Sequence, residues 1–208
     1  YVHKGASQEL EDCDFNKSDL KAEWIYLASL TGKSAEMGKE IAKYAHEKKI
    51  KLLFNPSLYL AEKGKTYLKP ILNAISILVL NKEEAQALLG LKSNEIKTLI
   101  KQLHKLGPEI VVITEGKKAA YALYQGKFYT IYPTNVKVVD TAGAGDAFTS
   151  GFLAGIIKKY SFADALRLGQ VNAESVVQYI GTKNKLLNER EAKEMMRRYW
   201  IKVTEVKL

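Results

Sequence analysis

One cysteine, three histidines and four arginines are all that this 208-residue sequence holds of those residue types. A lone Cys13 can form no internal disulfide. That excludes a disulfide-stapled scaffold and fits a reducing cytoplasm, with the thiol read as a small, partly buried side chain. His3, His46 and His104 share no metal-ligand spacing; the last two fall in lysine-rich helical stretches and read as surface residues. No apolar run is long enough to cross a bilayer. The first residues lack the basic-then-apolar order of a signal peptide. No linker, internal repeat or low-complexity segment interrupts the chain.

What is present is an ordinary globular composition, 47% hydrophobic and 26% charged, enough for one domain with a good core. The net charge is +9. Arginine occurs only at Arg167, Arg190, Arg197 and Arg198, so the basic side is mostly lysine. The lysines spread along helical stretches (Lys39, Lys43, Lys48, Lys49, Lys97, Lys101, Lys105) rather than clustering with aromatics. They read as solvated faces. A nucleic-acid partner would rest on charge alone, and the same charge also attracts phosphorylated small molecules.

Strand and helix patterns alternate along most of the chain. Continuous apolar runs at 24–28, 50–54, 75–80 and 109–114 read as buried strands. Helices are expected at 34–48 (capped by Ser34, with Ile41, Tyr44 and Ala45 on one face), 65–74, 82–89 and 94–106. Gly90 and Gly107 act as stop signals. The runs 119–124 and 127–132, separated by Gln125-Gly126, read as a hairpin. Helices at 143–158, 162–179 and 189–200 follow, and 201–206 alternates weakly, as an edge strand does. Buried strands joined by helices predict a mainly parallel sheet covered on both faces, a three-layer α/β/α sandwich.

The most informative stretch is Asp140-Thr141-Ala142-Gly143-Ala144-Gly145-Asp146, directly before the apolar helical pattern of Phe148, Phe152, Leu153, Ile156 and Ile157. A Gly- and Ala-rich turn opening a helix offers backbone N–H groups and the positive end of a dipole to a phosphate. Small side chains let the ligand approach. Asp146 is the odd member, because a phosphate repels a carboxylate. Its place there makes sense if it takes a proton from a hydroxyl that attacks the phosphate.

This run, with Ser150-Gly151-Phe152 after it, resembles the second signature of the ribokinase-like (PfkB) carbohydrate kinases. The resemblance implies ATP and Mg2+ as cofactors, with a small-molecule sugar or nucleoside as acceptor. It implies neither nucleic acid nor membrane as partner. Asp146 would be the catalytic base, and N–H groups around Gly143, Ala144 and Gly145 would stabilise the transferring group. Thr141 belongs to the same loop and joins the nucleotide site. Thr114-Glu115-Gly116 matches the family's Thr-x-Gly turn along the nucleotide phosphates; relatives often carry a second glycine where this chain has Ala119 or Ala120. Asn172, in the segment closed by Gly181, matches a position beside the base. Asp140 matches a holder of a monovalent cation in some relatives.

Asn81 and Glu84 match the Asn-x-x-Glu element that the resemblance assigns to Mg2+. Read alone they are a helix capping box, and both readings can hold. Asn55-Pro56-Ser57 matches a turn at the site rim.

The likeness covers the later part of a typical member. Tyr1–Ser7 resembles an internal strand and turn. The expectation is a domain over 1–208 that lacks the family's N-terminal part, with its sugar-binding groups and β lid; the full-length form would be a homodimer. A catalytically silent nucleotide- or sugar-binding module is the alternative.

Overall fold

The structure is a computed structural model, and it describes Asn16 and residues 19–208. The strand and turn expected over Tyr1–Ser7, with His3 and Cys13, lie outside the described residues. The chain divides into two compact units. The first runs through Ile113 and takes in Ala122–Gln125; the second comprises Thr114–Tyr121 and Gly126–Leu208.

In the first unit the order is β1 (Trp24–Leu27), α1 (Ser34–Glu47), β2 (Lys51–Phe54), α2 (Leu58–Ala61), α3 (Gly64–Leu72), β3 (Ile77–Asn81), α4 (Lys82–Leu89) and α5 (Ile96–His104), with β4 (Ile110–Thr114) leading out of it. β1 pairs in parallel with β2, Trp24 opposite Lys51 through Leu27 opposite Phe54; β2 pairs in parallel with β3, Leu53 opposite Ile77. The strands stand in chain order. Parallel strands joined by right-handed crossovers that always step the same way place their helices on one face. The contacts follow that rule: α1 meets α3, α3 meets α4 and α4 meets α5. Leu52, Leu53, Phe54, Ile77, Leu78, Val79 and Leu80 are all buried, so neither side of these strands faces water.

Two local expectations are corrected here. Ser34 does not cap α1; Lys33 stands at that position in helical conformation with no capping side-chain bond, and Ser34 is buried in the first turn. α1 buries Ala35, Met37, Gly38, Ala42 and Ala45, while Ile41 and Tyr44 are only half-buried. Small residues let α1 approach α3 closely: a side chain at Gly38 would stand 3.7 Å from Ile71 Cδ1. The short α2 was not expected, because four residues are too few to show a period. His46 and His104 are exposed, as are Lys43, Lys48, Lys49, Lys97, Lys101 and Lys105.

β5 (Ala120–Tyr124) leads to β6 (Lys127–Ile131) through Gln125 and Gly126, whose φ values of 48° and 70° suit a two-residue turn. The second unit continues with α6 (Ala144–Ile157), α7 (Phe162–Val176), α8 (Glu189–Arg198) and β7 (Val203–Lys207). β7 pairs antiparallel with β6, Ile131 opposite Val203, which makes it the strand expected near 201–206. α6 is apolar almost all round and packs on α7. Glycines set the spacing. A Cβ at Gly155 would come within 2.6 Å of Ala165 Cα, and one at Gly169 within 2.8 Å of Phe148 O.

Candidate nucleotide site

The loop before α6 is built around Asp140. Its Oδ1 accepts from the Ala142 N–H at 2.9 Å and its Oδ2 from the Gly181 N–H at 3.3 Å. The N–H bonds from Ala142 and then Gly181 hold the Asp140 carboxyl below the usual carboxylate range. Asp140 thus fastens the 140–146 loop to the segment after α7.

Gly143 follows at the N-cap of α6 with φ 80°, in the left-handed region that favours glycine. A side chain there would also meet Thr182 O at 2.4 Å. No side chain caps this helix. The Ala144 N–H reaches back to Thr141 O at 3.3 Å, so this donor of the expected anion cradle is used within the loop. Gly145 differs from Gly143. It lies inside α6, away from the left-handed region, and nothing stands within 4 Å of where its Cβ would be. Neither backbone nor packing requires glycine at 145, and the space over it is open. Asp146 is exposed in the first turn of the same helix.

A cavity of about 520 Å³ lies wholly within the second unit. It brings together Thr114, Gly116, Thr141, Ala144 and Gly145, two groups at least 25 positions apart in the chain. Gly116 has φ 56° and open space where a side chain would stand, and Lys117 beside it lines the cavity. Ala119 and Ala120, standing where relatives often carry glycine, are buried in the wall. The rest of the wall is mostly apolar: Pro133, Val136, Val138, Phe148, Ala173 and Val177. It is polar at the exposed Asn135 and at one buried place. Glu174, 3% exposed, accepts from the Thr134 N–H and Thr134 Oγ1, each at 2.6 Å, and from Gln170 Nε2 at 2.9 Å.

Asn172 is not among the residues lining this cavity. It is buried, and its amide is spent within the protein: Nδ2 donates to Ala147 O at 2.7 Å and Oδ1 accepts from the Leu187 N–H at 3.0 Å. It pins α6, α7 and the 187 segment together. The sequence reading missed Gln170, Glu174, Lys117 and the 133–138 wall. Gln170, Ala173, Glu174 and Val177 carry a usable signal, for they are spaced i, i+3, i+4, i+7 along one helix face. The 133–138 segment has no period and no sequence signal.

In the first unit, Asn81 and Glu84 form a complete capping box at the end of β3. Asn81 Oδ1 accepts from the Glu84 N–H at 2.9 Å, and Glu84 Oε2 from the Asn81 N–H at 2.8 Å. Asn55 acts as a fastener between strand ends, donating from Nδ2 to Val79 O at 2.7 Å and accepting from Tyr26 at 3.4 Å.

Residues 1–189 match the pfkB family carbohydrate kinase, and the chain belongs to that family. It is 30% identical over 169 residues to an uncharacterized sugar kinase of Archaeoglobus fulgidus, covering 81% of this chain and 66% of that protein. It is 28% identical over 185 residues to the cytidine kinase of Thermococcus kodakarensis, covering 86% and 64%. The solved ribokinase of Arabidopsis thaliana, complexed with ribose and ATP, matches with a TM-score of 0.77 at 22% identity, over 91% of this chain and 60% of that one. The fold is therefore ribokinase-like, a three-layer α/β/α arrangement with a mainly parallel sheet, as the strand–helix alternation predicts. The chain spans just under two thirds of the length of the two curated relatives.

Proposed function

We propose that this chain carries the nucleotide-binding and phosphoryl-transfer residues of a kinase that moves the γ-phosphoryl group of ATP to a hydroxyl of a sugar or nucleoside. One observation carries the reading: Gly145 lines the cavity with open space where a side chain would stand, and Asp146, the next residue in the first turn of α6, is exposed beside it in sequence. The relatives' names support it, since they are sugar and nucleoside kinases.

The nucleotide body lies in the apolar part of the cavity. Its phosphates run along Thr114 and Gly116 toward Gly145, where the helix dipole and the backbone attract negative charge. Lys117 adds a cation on the same side. The Asp146 carboxylate takes the proton of the acceptor hydroxyl as its oxygen bonds to the γ-phosphorus, and the bond from that phosphorus to ADP breaks. Gly143 and Asp140 hold the loop in shape. Thr141 closes the cavity wall, and Asn172 acts from behind as a positioning residue for α6.

Oxygen donors such as Asn81 and Glu84 suit Mg2+, and a carboxylate in a capping box keeps lone pairs for a hydrated ion. No group of three or more His, Cys, Asp or Glu able to hold a metal occurs among the described residues. Asn81 and Glu84 would hold such a hydrated ion. Bound there, Mg2+ supplies charge neutralisation to the phosphates. Both Asp140 oxygens are bonded to protein N–H groups, and the proposal uses no monovalent cation.

The test is Asp146→Asn, assayed with a panel of sugars and nucleosides. Transfer should fall by about 10²–10⁴-fold, the range for a lost general base, while Mg-ATP binding by calorimetry is retained. Turnover equal to the parent's would remove Asp146 from the role. Nucleotide binding by the parent with no transfer to any acceptor would favour the silent-module alternative.

A further inference from the structure

A second cavity, of about 290 Å³, lies within the second unit among α6, α7 and α8. It shares no lining residue with the cavity described above. On α7 it is bounded by Leu168 and Asn172, spaced i, i+4, whereas Gln170, Glu174 and Val177 line the other cavity. At about 100° of turn per residue the two sets lie on opposite faces of the helix. Much of the wall of this second cavity is apolar, from Ala154, Leu168, Leu187, Ala192 and Met196, and the methionine is an adaptable filler. Three charged side chains line it as well, Lys158, Glu189 and Lys193. Glu189 Oε2 accepts from Lys158 Nζ at 2.8 Å, and Glu189 Oε1 stands 2.8 Å from Lys193 Nζ. Both oxygens of one carboxylate thus face an ammonium, and the trio keeps one positive charge in excess. Each ammonium carries three N–H donors. Both lysines are exposed, so solvent and ligands reach them.

We propose that this second cavity binds a small amphipathic carboxylate, its apolar body among the side chains of α6, α7 and α8 and its carboxylate at Lys158 and Lys193. The wall and the charges choose this class together. Apolar lining favours a body that gains by leaving water. Two ammonium groups repel a cationic head and attract an anionic one. A single excess positive charge matches a single negative charge, which suits a carboxylate better than a doubly charged phosphate ester. Glu189 already holds both lysines, so the ligand does not have to order them. Asn172 Nδ2 and Ser150 Oγ, also on this cavity, donate to Ala147 O at 2.7 and 3.1 Å, which leaves the charged head to the lysines. The proposal is independent of the nucleotide reading, since no residue serves both cavities.

The experiment is calorimetric titration of the 208-residue chain with octanoate, octylammonium and acetate. It is repeated on Ala154→Phe and on a double variant, Lys158→Gln with Lys193→Gln. Octanoate is expected to bind saturably. Acetate has the head without the body, octylammonium has the body with the opposite charge, and neither should saturate. Ala154→Phe fills the cavity from α6 and should abolish octanoate binding while the protein still melts cooperatively. The double variant leaves the apolar wall in place and should weaken octanoate by about tenfold. Equal binding of octanoate and octylammonium would show an apolar recess with no seat for an anion, and would overturn the proposal. Octanoate binding that survives Ala154→Phe would place the ligand elsewhere and overturn it too, as would no octanoate binding by the parent. Should Ala154→Phe not fold, the double variant decides by itself, because it changes only exposed side chains: octanoate affinity equal to the parent's would overturn the proposal.

Discussion

Two glycines separated by one residue do different work. Gly143 is required by the fold: its backbone is left-handed, and Thr182 occupies the place of a side chain. Gly145 has ordinary helical backbone and open space. Gly143→Ala should therefore destabilise, by about 1–2 kcal/mol for the left-handed conformation alone and further for the clash, seen as a lower Tm. Gly145→Val should melt at or slightly above the parent, because valine is the better helix former of the two, yet lose saturable Mg-ATP binding in calorimetry. Equal Mg-ATP affinity in the two proteins would remove Gly145 from the anion site. The motif was legible in sequence, because Gly-Ala-Gly-Asp before an apolar helix is an unusual string. The division of labour within it was not, since only coordinates show that Thr182 crowds one glycine and nothing crowds the other.

At the scale of elements, small residues let α6 and α7 pack closely against one another. Gly151, Gly155 and Gly169 each face backbone or Cβ atoms within about van der Waals distance of a missing methyl, the nearest being Ala165 Cα at 2.6 Å from a Cβ on Gly155. Gly155→Leu should force the helices apart and lower Tm sharply, with losses of about 1–3 kcal/mol or more for an overpacked contact; a melt unchanged from the parent would contradict the close crossing. Asn172 belongs to this scale as well. Family likeness places it beside the nucleotide, whereas the structure gives its amide to Ala147 and Leu187. A buried asparagine with both ends bonded looks, in sequence, the same as one that faces a ligand. The Asn81–Glu84 capping box shows the opposite case: both partners are three residues apart, so the local reading was complete without any tertiary information.

Over the whole molecule the telling variables are pH and salt. Glu189 bridges Lys158 at the end of α6 and Lys193 on α8, at 2.8 Å each, and those two lysines pull its carboxyl from 4.5 down to about 2. A carboxyl depressed in the folded state stabilises fully above its ordinary range and loses that contribution as pH falls toward the depressed value. Asp140 has the same sign, through backbone N–H groups instead of lysines. Tm should thus fall on acidification below about pH 4.5. Glu189→Gln and Asp140→Asn should each flatten part of that fall. Salt tells them apart: at 1 M the screening length shrinks to about 3 Å, so the exposed Glu189 pairs weaken while the Asp140 hydrogen bonds persist. Identical acid melts for parent and both variants would show that neither carboxyl is linked to folding.

By itself the sequence determined what is local or periodic. Among the described residues, alternating apolar runs and helical patterns gave each β-strand and each helix longer than one turn, because each stretch must bury its own apolar face. The Asp140–Asp146 string gave the family and the turn that opens α6. Tertiary structure decided what distant segments do to one another: that Thr114 and Gly116 meet Gly145 in one cavity, that Asn172 is tied up behind it, and that the 133–138 segment brings Thr134 onto Glu174. A side chain's donors and acceptors are spent on whatever the fold places beside them, and that neighbour is set by packing across the chain rather than by spacing along it.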